Sequence, residues 1–299
     1  LVLTHGAAEA ARLVAIEVLE SGSDQRVVLL PGVDKAVAGA VRDVAEVAGA
    51  EVDAPAETPD VFDAETALVV MTHVDADGRL RSPAPVAAAA RAAGARTLLD
   101  VGRSAGAMAL EVDALGVDFV LAESHRWLLG PDSVAALWIT TELDRELPEW
   151  LRQARSPFGR GTLLALARSV GWLLMYVELP WALDRTAALA DQLYDSLGAT
   201  DGVELLADRE AHGAIAAFRI EGWDAETAVE ELGRSIFAIV EADTEADVLR
   251  ASVGAWNRES EIDRFTERVA ELAAHAPETL PRRPSLTVIS GPIDTEENE

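Results

Sequence analysis

Cysteine is absent from the 299 residues of this sequence. Its absence excludes disulfides, zinc sites with thiolate ligands and catalysis by a thiol nucleophile. Apolar runs are also short, because none approaches the roughly 18 residues of a membrane-spanning helix. The first residues lack the basic segment that opens a signal peptide. We therefore expect a cytoplasmic protein with no metal site and no membrane partner.

Lysine is nearly absent, since Lys35 is the only lysine among 25 basic residues. A lysine amine can form a Schiff base with an aldehyde, whereas an arginine guanidinium stays protonated and cannot. Lys35 is therefore the only lysine that could form such a bond. Its place in a predicted helix over Val33–Ala48 also fits an ordinary surface lysine.

Positive charge is scarce as well, with 52 Asp and Glu against 25 Lys and Arg and a formal net charge of −27. The acidic residues are spread along the whole chain and are not concentrated in one tail. The negative electrostatic field of such a chain repels a phosphate backbone, so we expect no nucleic-acid partner. The simplest interpretation is a solvated acidic surface of the kind that halophilic proteins carry.

Apolar runs of strand length alternate with helical patterns in the first half of the chain. This alternation is typical of βαβ units and a mainly parallel sheet. We predict strands at Arg26–Leu30, Thr66–His73, Thr97–Leu99, Phe119–Ala122 and Val134–Ile139, and helices at Val33–Ala48 and Pro85–Ala93.

The pattern changes after two helices, which we predict over Leu163–Met175 and Glu178–Leu197. Beyond them we expect a smaller α+β domain with a last helix that Asn257 caps and that runs to His275. Its other predicted elements are strands at Val203–Leu206, Ala214–Ile220, Ile236–Val240 and Val248–Val253 around a helix at Asp224–Gly233. The predicted units are a large domain over 1–150, a bridge over 151–177, a small domain over 178–282 and a disordered acidic tail over 283–299.

Two polar features follow the apolar runs at the centre of the large domain. Asp100 ends the run Thr97–Leu99, and the cluster Ser124-His125-Arg126-Trp127 ends the run Phe119–Ala122. In open α/β sheets, ligands gather at the carboxyl ends of the strands. An acid and a basic cluster thus lie where a binding site is expected.

The spacing of these features resembles a family signature. It runs from Asp100 through Arg103 and Gly106 to Gly116-Val117-Asp118-Phe119, Ser124–Trp127 and Gly130-Pro131. The pattern is similar to that of the class V aminotransferases, which are pyridoxal-phosphate (PLP) enzymes of fold type I and include cysteine desulfurases and isopenicillin N epimerase-like proteins. The resemblance extends to about residue 276. It implies a PLP-transferase fold of type I with a smaller C-terminal α+β domain.

The resemblance also implies roles for single residues. Asp100 matches the acid that keeps the cofactor's pyridine nitrogen protonated, and His125 lies next to the Schiff-base position. Thr162 matches a residue that reaches the phosphate of a dimer partner. Arg250 matches the arginine that binds the substrate carboxylate, a task that suits a guanidinium. Gly6 begins the helix whose backbone N–H groups hold the phosphate.

Four positions depart from the family pattern. Arg126 stands at the Schiff-base lysine, and Arg103 at a glutamine. Ala8 stands at a threonine that binds the phosphate, and Asp34 falls where a histidine stacks on the cofactor ring. Together these losses argue against ordinary transamination or desulfuration, and no covalent aldimine is expected. The absence of cysteine also removes the thiol that cysteine desulfurases use to accept sulfur.

Three of the residues that match the family pattern also have simpler roles. Gly6 could begin a plain helix, Thr162 could cap a helix through its hydroxyl, and Arg250 could be a surface arginine. These alternatives stay open at the level of the sequence.

Three functional hypotheses follow. The first is a degenerate, non-catalytic homologue that forms a homodimer, or a heterodimer with a catalytic paralogue. The second is an enzyme that binds pyridoxamine phosphate or another anion without an aldimine, with Arg126 and Arg103 beside Asp100. The third is an ordinary PLP-dependent transferase or lyase acting on an amino acid, either with Arg126 as an engineered or miscalled replacement of its lysine or with Lys35 as its lysine. The chain opens inside a family-like motif, so we also expect a missing N-terminal segment.

Overall fold

The structure, a computed structural model, describes residues 1–19, 25–140, 143 and 157–280. Its described residues form a seven-stranded sheet in the first half of the chain and a four-stranded sheet in the second. The predicted tail 283–299 and residues 151–156 of the predicted bridge lie outside the described residues.

The large sheet has the order β1-β7-β6-β5-β4-β2-β3. Strands β2 to β6 are parallel, whereas β7 is antiparallel to both β6 and β1. This arrangement confirms the mainly parallel sheet that the alternating pattern predicts. The strands are β1 Val2–Thr4, β2 Arg26–Leu29, β3 Glu51–Asp53, β4 Thr66–Thr72, β5 Arg96–Asp100, β6 Phe119–Glu123 and β7 Ala135–Ile139.

Helices cover both faces of this sheet. Helices α1 (Ala7–Val18) and α2 (Lys35–Ala48) pack on one face, and α3 (Pro83–Ala93) packs on the other. The strand cores are apolar on both sides, as expected for a parallel sheet between helices. A short 3₁₀ turn, Val112–Leu115, leads into β6.

A long helical segment joins the two sheets. It consists of α4 (Arg160–Trp172), one π turn (Leu173–Val177) and α5 (Leu179–Gly198). Among the described residues, no single helix is long and apolar enough to cross a membrane, and this bent pair passes that test only when its two parts are combined.

The small sheet has the order β10-β11-β9-β8 and is antiparallel throughout. Its core is closed by α5 and by two further helices. These elements are β8 Val203–Leu205, β9 Ile215–Ile220, α6 Ala225–Ile236, β10 Glu241–Asp243, β11 Val248–Ser252 and α7 Glu259–Ala273.

The loop after β4 joins the large sheet to the small one. Its Gly78 carbonyl accepts a hydrogen bond from the N–H of Gly213 at 2.8 Å, and Leu80 N–H donates to Ala211 at 2.9 Å. A side chain at Gly78 would collide with the carbonyl oxygen of Ile215, and its φ of +81° also favours glycine. The same loop therefore fixes the edge of the large sheet against the small domain.

Two predictions for the small domain are wrong. Residues 237–240 are not a strand, because Ile236 is the last core-facing position of α6 and Phe237 ends that helix in the left-handed region. Asn257 does not cap α7, whose N-cap is Arg258 with Glu261 completing a capping box. The Asn257 side chain accepts from Gly254 N–H at 3.0 Å instead.

Candidate functional site

The candidate site lies at the carboxyl edge of the large sheet. Asp34 follows β2, Asp100 ends β5, Glu123 ends β6, and Gly6 follows β1 at the start of α1. Because β1 and β6 both run antiparallel to β7, their carboxyl ends reach the same edge. The fold therefore brings together residues that the sequence separates widely.

Asp100 is the buried acid of this edge, with 5% of its surface exposed. Its Oδ1 accepts a hydrogen bond of 2.8 Å from the N–H of Gly102. The pKa of Asp100 is raised to about 6, mainly by burial and also by the nearby carboxylates of Asp34 and Glu123, while the hydrogen bond from Gly102 and the charge of Arg103 lower it. Near neutral pH, this group therefore carries a proton for part of the time.

Arg126 occupies the position at which the resemblance places a Schiff-base lysine. Its Nε donates to Oε2 of Glu123 at 3.2 Å, and its Nη2 lies 3.2 Å from the same oxygen. A methyl group on Gly102 would lie 3.0 Å from Asp100 Oδ1, 3.5 Å from Glu123 Oε2 and 3.8 Å from Arg126 Nε. The guanidinium thus lies beside the acid that the resemblance assigns to the pyridine nitrogen.

Arg103 forms the second ion pair of the site, with Nη2 at 3.0 Å from Oδ2 of Asp34. Asp34 also caps α2 by accepting from Ala36 N–H at 2.9 Å. Burial raises the pKa of Asp34, but the hydrogen bond from Ala36 and the charges of Arg103 and Arg126 outweigh it and leave that pKa below its ordinary value. Both arginines therefore meet carboxylates of this chain.

The start of α1 supplies backbone donors without a side-chain hydroxyl. Gly6 is its N-cap, with a φ of 83°, and no side chain caps this helix end. Ala8 lies in the first turn, where the resemblance expects a threonine. The simpler interpretation of Gly6 as a plain helix start describes this geometry fully.

These residues do not fit a pyridoxal phosphate held as an internal aldimine. Such a site needs a lysine, a ring-stacking group and a phosphate cradle in addition to the acid. Asp100 is present, but Arg126 and Asp34 hold the lysine and stacking positions, and each is ion-paired within the chain. The edge as it stands consists of two ion pairs around one buried acid.

The remaining residues of the signature are structural or exposed. Ser124 Oγ donates to the carbonyl of Pro131 at 2.6 Å and closes the turn after β6. Trp127 Nε1 donates to the carbonyl of Val253 at 2.6 Å and ties this turn to the small domain. His125 is exposed beside them. The signature thus positions the small domain as well as the site.

Thr162 lies in the third position of α4, whose N-cap is Gly159 without a side-chain cap. The alternative role of Thr162 as an N-cap is therefore wrong. Its hydroxyl has no hydrogen-bond partner among the described residues.

Arg250 is enclosed by acids of both domains. Its Nη2 lies 2.6 Å from Oδ2 of Asp243 and 3.9 Å from Oδ1 of Asp77, and its Nη1 lies 3.4 Å from Oε1 of Glu241. Only 15% of the side chain is exposed, so it is not an ordinary surface arginine. A substrate carboxylate would have to displace these internal partners.

Lys35 points away from the cluster. Its Nζ lies 2.7 Å from Oε2 of Glu245, and 89% of its side chain is exposed. The only lysine of the chain is therefore a solvated residue at the start of α2.

Glu123 is the site residue that the sequence analysis missed. It ends a strand, and its carboxylate completes the ion pair with Arg126. The signal that could have found it is the alternation of side chains in β6, which places Glu123 on the same face as Phe119 and Leu121.

Comparisons with known proteins agree on the relationship. A family model described as aminotransferase class-V matches residues 1–156. A probable cysteine desulfurase of Methanothermobacter thermautotrophicus is 24% identical over 255 residues, which cover 73% of this chain and 64% of the relative. A kynureninase of Pseudomonas fluorescens is 31% identical over 100 residues, 33% of this chain and 24% of the relative. The chain therefore spans less than two thirds of either relative's length.

Solved structures share the fold. A cysteine desulfurase from Thermococcus onnurineus NA1 superposes with a TM-score of 0.77 at 17% identity, covering 91% of this chain and 79% of that one. A variant of C-DES with glycine linked to its PLP cofactor gives 0.78 at 17% identity, with coverage of 90% and 80%. The expected fold of type I is thus confirmed.

Proposed function

Because this chain belongs to the class-V aminotransferase family, we propose that it is a non-catalytic member whose cofactor site has been replaced by internal ion pairs, and that it acts as a partner subunit. The observation that carries the proposal is the pair between Arg126 and Glu123 beside Asp100. A guanidinium cannot form the Schiff base on which this chemistry depends.

The position of Lys35 supports the proposal. A lysine that serves a cofactor must reach into the site, whereas Lys35 is solvated and paired with Glu245. The state of the arginines supports it as well, since an incoming anion would have to break the pairs that Arg103 and Arg126 make with Asp34 and Glu123.

The partner is proposed from an exposed apolar face on α4, the π turn and the start of α5. Its exposed members are Leu163, Leu164, Trp172, Leu174, Met175, Tyr176 and Trp181. Residues 157–177 carry Arg160 and Arg168 and no acid, in a chain of net charge −27. An apolar face with positive charge fits a second acidic chain of this family, either another copy or a catalytic paralogue.

A second candidate function is binding of pyridoxamine phosphate, or of another anion, without an aldimine. It is favoured by one observation, which is that Arg103 and Arg126 both lie at the edge that holds Asp100. In this candidate the anion takes the places of Asp34 and Glu123 on the two guanidinium groups. This candidate predicts that pyridoxamine phosphate binds to the chain and is removed by dialysis.

The test is a titration of the purified chain with pyridoxal phosphate, followed by borohydride reduction. We expect no aldimine absorbance and no reduced adduct at Lys35. Size-exclusion chromatography with light scattering on the same sample then gives the oligomeric state, for which we expect a dimer or a complex with a related chain.

A further inference from the structure

Glu123 occupies a defined place on the sheet. In β6 it follows Phe119 and Leu121, which lie in the core that α1 and α2 cover, so Glu123 shares the face on which α1 packs. It is paired in register with Ala135 of β7, and Ala135 is paired with Thr4 of β1. Glu123 and the end of β1 are thus two strands apart, which is roughly 10 Å at the usual spacing of strands.

The start of α1 follows Thr4 directly. It is the N-terminus of a 12-residue helix that no side chain caps. The N-terminus of a helix attracts anions through its free N–H groups and its dipole. The N–H of His5 already donates to Oε2 of Glu9 at 2.5 Å. Glu123 adds another carboxylate on the same face and at the same edge of the sheet.

The local balance of charge opposes a phosphate group. Three carboxyl groups, Asp34, Asp100 and Glu123, stand against Arg103 and Arg126. A phosphate monoester would bring up to two further negative charges next to the Glu123 carboxylate, whose ion-pair partner among the described residues is Arg126. At a separation of roughly 10 Å, repulsion between like charges near a protein surface lowers the affinity for an anionic ligand by several-fold to about a hundredfold.

We propose that Glu123 is the residue that excludes phosphate-bearing ligands from this edge of the sheet, separately from the loss of the lysine. The inference rests on the proposed function and adds to it a specific determinant. Restoring a lysine by Arg126→Lys alone then leaves the phosphate position closed. Removing the charge of Glu123 opens it.

The experiment compares pyridoxal phosphate with pyridoxal, which lacks the phosphate, in variants that carry R126K. Aldimine absorbance and borohydride trapping give the affinity for each. In R126K/E123Q we expect the affinity for pyridoxal phosphate to rise at least tenfold over R126K, while the affinity for pyridoxal changes by less than about twofold. R126K/E226Q is the matched control, because it removes the same formal charge from the exposed face of α6.

Equal affinity of R126K and R126K/E123Q for pyridoxal phosphate would overturn the proposal, and so would an equal gain for pyridoxal. Should the double variant not fold, E123S in the wild-type background is titrated with inorganic phosphate by calorimetry. Tighter binding than in wild type supports the proposal, and unchanged binding refutes it. An aldimine in the wild-type chain would refute the proposed function instead. The comparison of R126K with R126K/E123Q would still test the role of Glu123.

Discussion

Arg126 Nε and Glu123 Oε2 lie 3.2 Å apart, so the residue at the family's Schiff-base position is held by the strand that precedes it. The pair is partly buried and lies beside Asp100. The Arg126 side chain, held in this ion pair, is a structural part of the carboxyl edge of the large sheet. This relationship underlies the account of the site and can be tested through stability.

Removal of one partner of this pair should destabilise the fold. Arg126→Ala leaves Glu123 half-buried and unpaired next to Asp100, and we expect a loss of about 1–2 kcal/mol in the free energy of unfolding. The double variant R126A/E123A should recover part of that loss in a double-mutant cycle measured by urea denaturation. Lys35→Ala is the control, because solvent screens the exposed pair with Glu245 and its loss should leave stability nearly unchanged.

Asp100 should give the stability a defined dependence on pH. Its pKa is raised in the folded state from 3.8 to about 6, so the folded chain binds the proton more tightly than the unfolded chain does. Its favourable contribution is complete below 3.8 and is lost as the pH rises through about 6.

The variant Asp100→Asn cannot titrate and isolates this effect. The stability of wild type minus that of Asp100→Asn should fall by about 2–3 kcal/mol between pH 4 and pH 7, as judged from the shift in pKa. Denaturation of both proteins across this range measures the difference and cancels the titration of all other groups. A difference that is constant with pH, or that rises, contradicts the assignment.

The indole of Trp127 should stabilise the contact between the two domains. Its Nε1 donates to the buried carbonyl of Val253 at 2.6 Å. Trp127→Phe keeps an aromatic ring but removes the donor and part of the buried indole, so we expect a loss of at least about 1–2 kcal/mol. Trp256→Phe, at an exposed position, is the matched control and should change stability by less than about 0.5 kcal/mol.

Salt should stabilise this chain. A net charge of −27 produces repulsion in the compact state, and added ions screen it. We expect the melting temperature to rise by at least about 2–4 °C, equivalent to roughly 1 kcal/mol, between low salt and molar sodium chloride. A melting temperature that stays constant or falls in a thermal-shift series contradicts the expected charge repulsion.

The apolar face on α4 and the π turn should control assembly. The double substitution L174E/M175E places two charges on that face, and we expect it to convert an assembled protein to monomer in light-scattering chromatography. Val47→Glu changes an exposed apolar residue on α2 and should leave the assembly intact. An unchanged mass for L174E/M175E would place the interface elsewhere.

Much of the fold could be predicted because buried parallel strands are short apolar runs with clear boundaries. Strands β4, β5 and β6 carry such runs and were predicted within a residue or two. The run Ile236–Val240 is equally apolar, but its first residue, Ile236, is the last buried residue of α6. Composition alone cannot separate the end of an amphipathic helix from a strand.

The site could be predicted only in part. The motif located Asp100 and Arg126 at one edge, but it did not show which charges meet there. The Asp34 partner of Arg103 and the Asp77 partner of Arg250 come from distant parts of the chain, and local spacing does not encode them. Glu123 lies only three residues before Arg126 and was missed because its role depends on the face of β6 that carries it.

The most direct test is borohydride trapping of the wild-type chain after incubation with pyridoxal phosphate, with peptide mapping and Lys35→Arg as the control. The account predicts no aldimine absorbance and no adduct that depends on Lys35. A stoichiometric adduct at Lys35, abolished in Lys35→Arg, would contradict it and show a working Schiff-base site.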